Sequence, residues 1–308
     1  MCYSAMIESS VRELAHRYQA RVDLSAFEGL FEAQERTGRL KLLKGLETFV
    51  DAAHSERSAT LRERLQRLRE RQMTGLLADL SAQETRLEHA KALLVEKETK
   101  ALLNEVRIAG NKIRQIRERI EELEHSLPHF ERIFPGVFAP LIVAHEGERW
   151  IRPFRYQLRP AGEPESFDRK FNGTYNVRRD RLHEVRWWKN LYGKKHGLLV
   201  MRRFYEHVEG ADGKSLILEF REEQEKDLLV PCLFDRNEEG VESLDSFGLI
   251  TDDPNPEVLA AGHDRTPVFI RSESLDDWLD TRPGKVIDQF DGILARKHPT
   301  RFLNSLSR

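Results

Sequence analysis

All twelve prolines of this 308-residue chain stand at or after Pro128. Proline fixes φ and removes an amide donor, so it ends or kinks a helix that it enters. A stretch of 127 residues without one is free to run as helix, and the side-chain spacing uses that freedom. Leu61, Leu65 and Leu68 step by four and three; Leu80, Leu87 and Leu94 recur every seven; Ile113, Ile116, Ile120 and Leu123 step three, four, three. Arg, Glu, Lys and Gln, all good helix formers, fill the positions between. An apolar seam with charge elsewhere is the pattern of a coiled coil. An antiparallel hairpin buries such a seam within one chain, whereas a single rod needs a partner, so a hairpin is expected. Gly75 and Gly110 are the weak points at which the helix can bend or reverse. Residues 8–54 read as two or three shorter helices, with Leu24, Phe27, Leu30, Phe31 and Phe49 as core candidates.

After Pro128 the texture changes. Short β-prone runs appear at 140–144, 198–201, 216–220, 228–234 and 267–270, punctuated by Gly, Pro, Asn and Asp. Ser274–Leu279 reads as a short helix capped by Ser272 or Ser274. The fold class expected is α+β: a β-rich domain beside a long helical segment.

Composition excludes several classes. No apolar run approaches the roughly 18 residues of a membrane span, and the N-terminus lacks the layout of a secretory signal. Cys2 and Cys232 are the only cysteines, too few for a disulfide framework, so a reducing compartment is expected. No CxxC, HExxH or GxxxxGK[ST] occurs, so neither a metal nor a cofactor is expected. Net charge is −2, but charge is segregated: residues 169–203 hold eleven Lys/Arg against Asp180 and Glu184. Phe171, Tyr175, Trp187, Trp188 and Tyr192 are interleaved with them. Cations for phosphate and rings for bases suit a nucleic-acid face; a solvated basic surface over a core of aromatics is the plainer alternative. Adjacent tryptophans on a strand could not both face the core.

Cys2 follows the initiator Met directly. Methionine removal is favoured before a small residue and would leave one residue bearing an amine and a thiol on neighbouring carbons. Three later stretches bear on it: Tyr175-Asn176-Val177-Arg178-Arg179-Asp180, Phe204-Tyr205-Glu206-His207, and Gly262-His263-Asp264-Arg265-Thr266-Pro267. Each alone reads equally as a turn, a surface carboxylate or a capped loop.

Taken in order, the four stretches resemble the SRAP (SOS-response-associated peptidase) family, whose members crosslink to abasic sites in DNA. Its Cys after Met, Asn-Ala-Arg-x-Glu-like, Phe-Glu-Trp-like and His-x-Arg-Met-Pro-like segments match Met1-Cys2, Asn176–Asp180, Tyr205–His207 and His263–Pro267. Arg155–Leu158 and Arg186-Trp187-Trp188-Lys189 resemble two further family elements. The chain departs from the pattern in three places. Ser4 stands where the family carries a DNA-contacting Arg, Arg159-Pro160-Ala161 replaces its Trp-Trp wedge, and Phe134-Pro135-Gly136 lacks the Asn of its turn.

The resemblance implies a catalytic domain from residues 1–7 and 128–308, with 8–127 as a helical, coiled-coil insertion. It implies that the mature Cys2 joins an abasic site in single-stranded DNA through a thiazolidine, shielding the lesion. Glu206 would serve as acid/base, Asn176 would orient sugar or amine, and His263 would carry protons. Arg178, Arg179, Arg186, Trp188 and Lys189 would hold the strand. A cytoplasmic, nucleoid-associated protein without a membrane is implied, and the insertion offers a surface for a protein partner or self-association. Two rival readings remain: a cysteine (auto)peptidase using Cys2 and His263, and a coiled-coil scaffold with an inactive SRAP-like domain.

Overall fold

A computed structural model describes residues 3–52, 56–124, 129–210, 213–236 and 245–307. The chain folds as two units, Met1–Ala53 with Pro128–Arg308, and His54–Leu127. The first 53 residues therefore belong with the sheet, whereas the sequence assigns 8–53 to the helical insertion.

The reason lies in what those residues bury. The chain begins with β1 (Ser4–Glu8), α1 (Val11–Tyr18), β2 (Arg21–Val22), α2 (Leu24–Thr37), β3 (Lys41–Leu42) and α3 (Phe49–Ala52). Ser10 caps α1 by accepting from the Glu13 amide at 3.3 Å. The Phe27 ring stacks on Phe49 at 4.9 Å and 10°, and both are buried. The two short strands then add to the sheet, Arg21 opposite Trp150 and Lys41 opposite Val137.

The helical unit is α4 (Glu56–Glu96) and α5 (Lys100–Glu124). At 1.5 Å per residue α4 is about 60 Å long. Ion pairs Arg86–Glu105 and Arg117–Glu84 join the two helices across the connection. The hairpin is as expected, but the reversal falls at Lys97–Thr99, not at a glycine. Gly75 and Gly110 stay helical. The turn forms where the seam ends: Val95 is 89% exposed, and Thr99 Oγ1 accepts from the Leu102 amide at 3.2 Å to start α5. Among the described residues, no helix is long and apolar enough to cross a membrane.

Beyond the hairpin come β4 (Phe130–Ile133), β5 (Val137–His145), β6 (Glu148–Tyr156), α6 (Ser166–Lys170), β7 (Asn176–Arg178), α7 (Arg186–Leu191) and β8 (His196–Glu209). Then follow β9 (Ser215–Glu222), β10 (Leu228–Asp235), β11 (Ser246–Asp252), α8 (Pro256–Ala260), β12 (Thr266–Pro267), α9 (Leu275–Leu279), α10 (Ile287–Ala295) and β13 (Phe302–Leu306). The expected 267–270 strand is thus only a short strand plus a single bridge from Ile270 to Leu229. The fold is α+β.

The sheet order is β13-β9-β8-β10-β11-β6-β5-β3, with β1 between β4 and β8. β5 also pairs with β8, Ile142 opposite Leu198 and Val143 opposite Gly197. Pairings β8–β10–β11–β6–β5–β8 therefore close on themselves. Gly197 permits that closure, since a Cβ there would lie 2.4 Å from the Leu141 side chain. Strands in this ring, such as Leu228–Leu233 and Ser246–Asp252, are buried on both faces. That explains why Leu228–Leu233 reads as a nearly unbroken apolar run rather than an alternating one.

Candidate functional site

Ser4 lies opposite Tyr205, so β1 runs antiparallel beside the middle of β8 and carries the N-terminus towards Glu206. Met1 and Cys2 lie outside the described residues. Tyr3 is described, and its ring meets Tyr175 at 5.9 Å and His207 at 6.2 Å, both edge-on. Those are the neighbours of Asn176 and Glu206. The ring of Tyr3 thus lies against the sequence neighbours of two candidates, although His207 and Glu206, successive on β8, point to opposite faces of the strand.

Glu206 is buried on β8, with 1% of its side chain exposed. His263 Nε2 stands 3.2 Å from its Oε2. His263 comes from the link between α8 and β12. Gly262, at φ +90°, ends the helix in a left-handed conformation and turns the imidazole inward. Arg265 anchors the same link, donating to Asp180 at 2.8 Å and to the Thr251 carbonyl at 3.2 Å. His263 Nδ1 lies 3.0 Å from the Arg265 carbonyl and accepts from the Arg265 amide at 3.3 Å, so the same link holds the ring in place. Nε2 is the nitrogen that faces Glu206.

Burial pushes the Glu206 carboxyl up to about 8, and the nearby Asp264 charge adds to the rise. Burial also holds His263 below its ordinary value. A carboxyl that keeps its proton near neutral pH thus stands next to an imidazole that gives its own up readily.

Asn176 opens β7, opposite Leu249 in parallel pairing with β11, and is 2% exposed. Arg178 ends the same strand with its side chain 45% exposed, but it is paired with Asp180 at 2.7 Å. Arg179 is paired with Asp252 at 2.6 Å. Trp187 and Trp188 stand on a helix, α7, rather than a strand; both are half-buried, and Trp187 meets Phe167 edge-on at 5.7 Å. Arg186 and Lys189 are exposed on that helix. Because α7 leads into β8 at His196, Glu206 lies ten residues further along, up to about 33 Å for an extended strand. Glu206 and His263 meet directly, Arg178 is linked to them through Asp180 and Arg265, and Asn176 shares β7 with Arg178, while Arg186, Trp188 and Lys189 stand on the helix that precedes the far end of β8.

Sequence patterns do not point to Arg132. It lies on β4, and its guanidinium donates to Ser4 Oγ at 2.9 Å and covers the Tyr205 ring at 3.6 Å. Only the β1–β4 pairing brings it there, and no local motif signals it. Cys232 is fully buried on β10, where burial raises its thiol well above the ordinary range and leaves it unreactive.

A closed sheet carrying a buried carboxyl–imidazole pair, Glu206 and His263, is what the geometry of the site provides. The family model for SRAP, the SOS response associated peptidase, matches residues 95–302, and the chain belongs to that family. Membership associates it with binding and crosslinking of abasic-site DNA at the level of the family. The match begins well after Cys2. No curated protein matches the chain. Among solved structures, a protein from Bordetella bronchiseptica is similar at TM-score 0.48 and 19% identity, covering 60% of this chain and 90% of its own. One from Bacteroides thetaiotaomicron is similar at TM-score 0.46 and 18% identity, covering 56% and 74%.

Proposed function

We propose that this chain shields abasic sites in single-stranded DNA by closing a thiazolidine between mature Cys2 and the ring-opened sugar. The observation that carries the reading is the Glu206–His263 contact of 3.2 Å, with its raised carboxyl and depressed imidazole, beside Tyr3. Cys2 is one peptide bond upstream of Tyr3, and neighbouring residues in a chain are about 3.8 Å apart.

The chemistry balances without a cofactor. Loss of Met1 exposes the α-amine. The amine adds to the aldehyde carbon, and the resulting carbinolamine loses water to give an imine. Sulfur then adds to the imine carbon, and the thiol proton ends on the ring nitrogen. Glu206 donates a proton to the departing hydroxyl and recovers one through His263. Asn176 orients the sugar or amine, and Arg178 lies where it can meet a phosphate on exchanging Asp180. The insertion, on this reading, is His54–Leu127, and the catalytic domain is the rest of the chain.

Incubation with an abasic oligonucleotide followed by a denaturing gel tests this. Wild type should give a heat-stable adduct. Cys2→Ser keeps the amine and loses the thiol, so it should give an adduct only when borohydride reduces the imine. A stable adduct formed by Cys2→Ala at the wild-type rate would refute the thiazolidine.

A further inference from the structure

The cations that sequence assigns to DNA near the site are already committed, Arg178 to Asp180 and Arg179 to Asp252. Arg132 is not. Its partners among the described residues are the hydroxyls of Ser4 and Ser307, at 2.9 and 3.4 Å, and the rings of Tyr205 and Phe134, at 3.6 and 5.1 Å. None is a carboxylate, so its charge is fixed in place and left for an anion from outside. Beside it stand two open rings in edge contact at 5.9 Å, Tyr3 at 43% and Phe134 at 38% exposed. Open rings side by side, unlike apolar residues scattered singly, mark an interaction surface. Tyr3 also meets the rings of Tyr175 and His207, the sequence neighbours of Asn176 and Glu206.

We propose that Tyr3, Phe134 and Arg132 form a platform that stacks the unpaired base next to the abasic nucleotide and holds the phosphate between them. This rests on the functional reading above and adds the path of the strand: it leaves the site over β1 and β4, not along α7. Stacking suits the task because every base has a π-face, so any flanking sequence is accepted. A guanidinium lying on a ring keeps its donors pointing outward at the ring edge, where a phosphate can meet them.

The test uses full-length protein and single strands carrying 2-aminopurine on either side of a tetrahydrofuran, an abasic analogue that has no aldehyde. Binding and fluorescence are then read without any crosslinking. Wild type should bind and quench 2-aminopurine on one side of the lesion. Phe134→Ala and Tyr3→Ala should abolish that quenching and weaken binding roughly tenfold. Phe134→Leu keeps the apolar bulk and the fold but should quench no better than Phe134→Ala. Arg132→Ala should lower the slope of log affinity against log salt by about one. Quenching unchanged in the Phe134 variants, binding without quenching on either side, or no binding of either strand would each overturn the platform. Failure of wild type to crosslink a true abasic strand, with quenching intact, would instead sink the thiazolidine reading alone.

Discussion

Glu206 holds a proton at pH 7 because β8 carries its carboxyl into the interior, where charge is poorly solvated. That state has a signature in stability. The folded value, about 8, lies above the ordinary 4.5, so between those pH values the folded chain keeps a proton that the unfolded chain has lost. Stability therefore falls as pH rises through that window and levels off above it. Glu206→Gln has no such proton to lose. It should melt above wild type at pH 9, and the gap should close by pH 5; thermal scans at the two pH values check this, and an equal gap at both would place the titration elsewhere. In the crosslinking assay, wild type should lose activity above about pH 8 as the donor deprotonates, and Glu206→Gln should be slow throughout and lack that descending limb. Asn176, Glu206 and His263 are all visible in the sequence, because short motifs mark them. The spending of Arg179 on Asp252 is not, since the two are brought together by the sheet across 73 positions.

At the scale of elements, periodicity is a good guide where an element satisfies itself. The α4–α5 hairpin is legible because its seam is buried within one chain. Its reversal is not, because glycine's helix penalty of about 1 kcal/mol is small against a long seam, whereas the loss of the seam and a Thr cap decide the turn. Gly110 faces open space, so Gly110→Ala should stabilise the hairpin by up to about 1 kcal/mol, seen as a later loss of helical circular dichroism on heating. Elements that need distant partners are harder to read. β1 has five residues and a bulge between Met6 and Ile7, too little pattern to stand out from a terminus. The 11–52 helices look like part of the insertion, because helical spacing says nothing of which surface is buried. Phe27→Ala should cost about 3–5 kcal/mol in a denaturant titration of the sheet unit; a loss under about 1 kcal/mol would show that the Phe27–Phe49 stack does not support it.

For the whole molecule, the two units imply that chemistry and hairpin are separable. Replacing residues 54–127 with a short Gly/Ser linker should leave a folded protein that still crosslinks abasic DNA. A folded product that cannot crosslink would place the hairpin in the DNA site.

The position of β1 has a consequence for how the chain is made. Ser4 is synthesised 201 positions before its partner Tyr205. At 5–20 residues per second, that is a wait of about 10–40 s. Its other neighbour, β4, ends at Ile133 and arrives sooner, after the hairpin has been made. The ribosome thus presents the terminus long before the protein that will enclose it exists. An enzyme that trims Met1 has that interval to work in before β8 closes over β1.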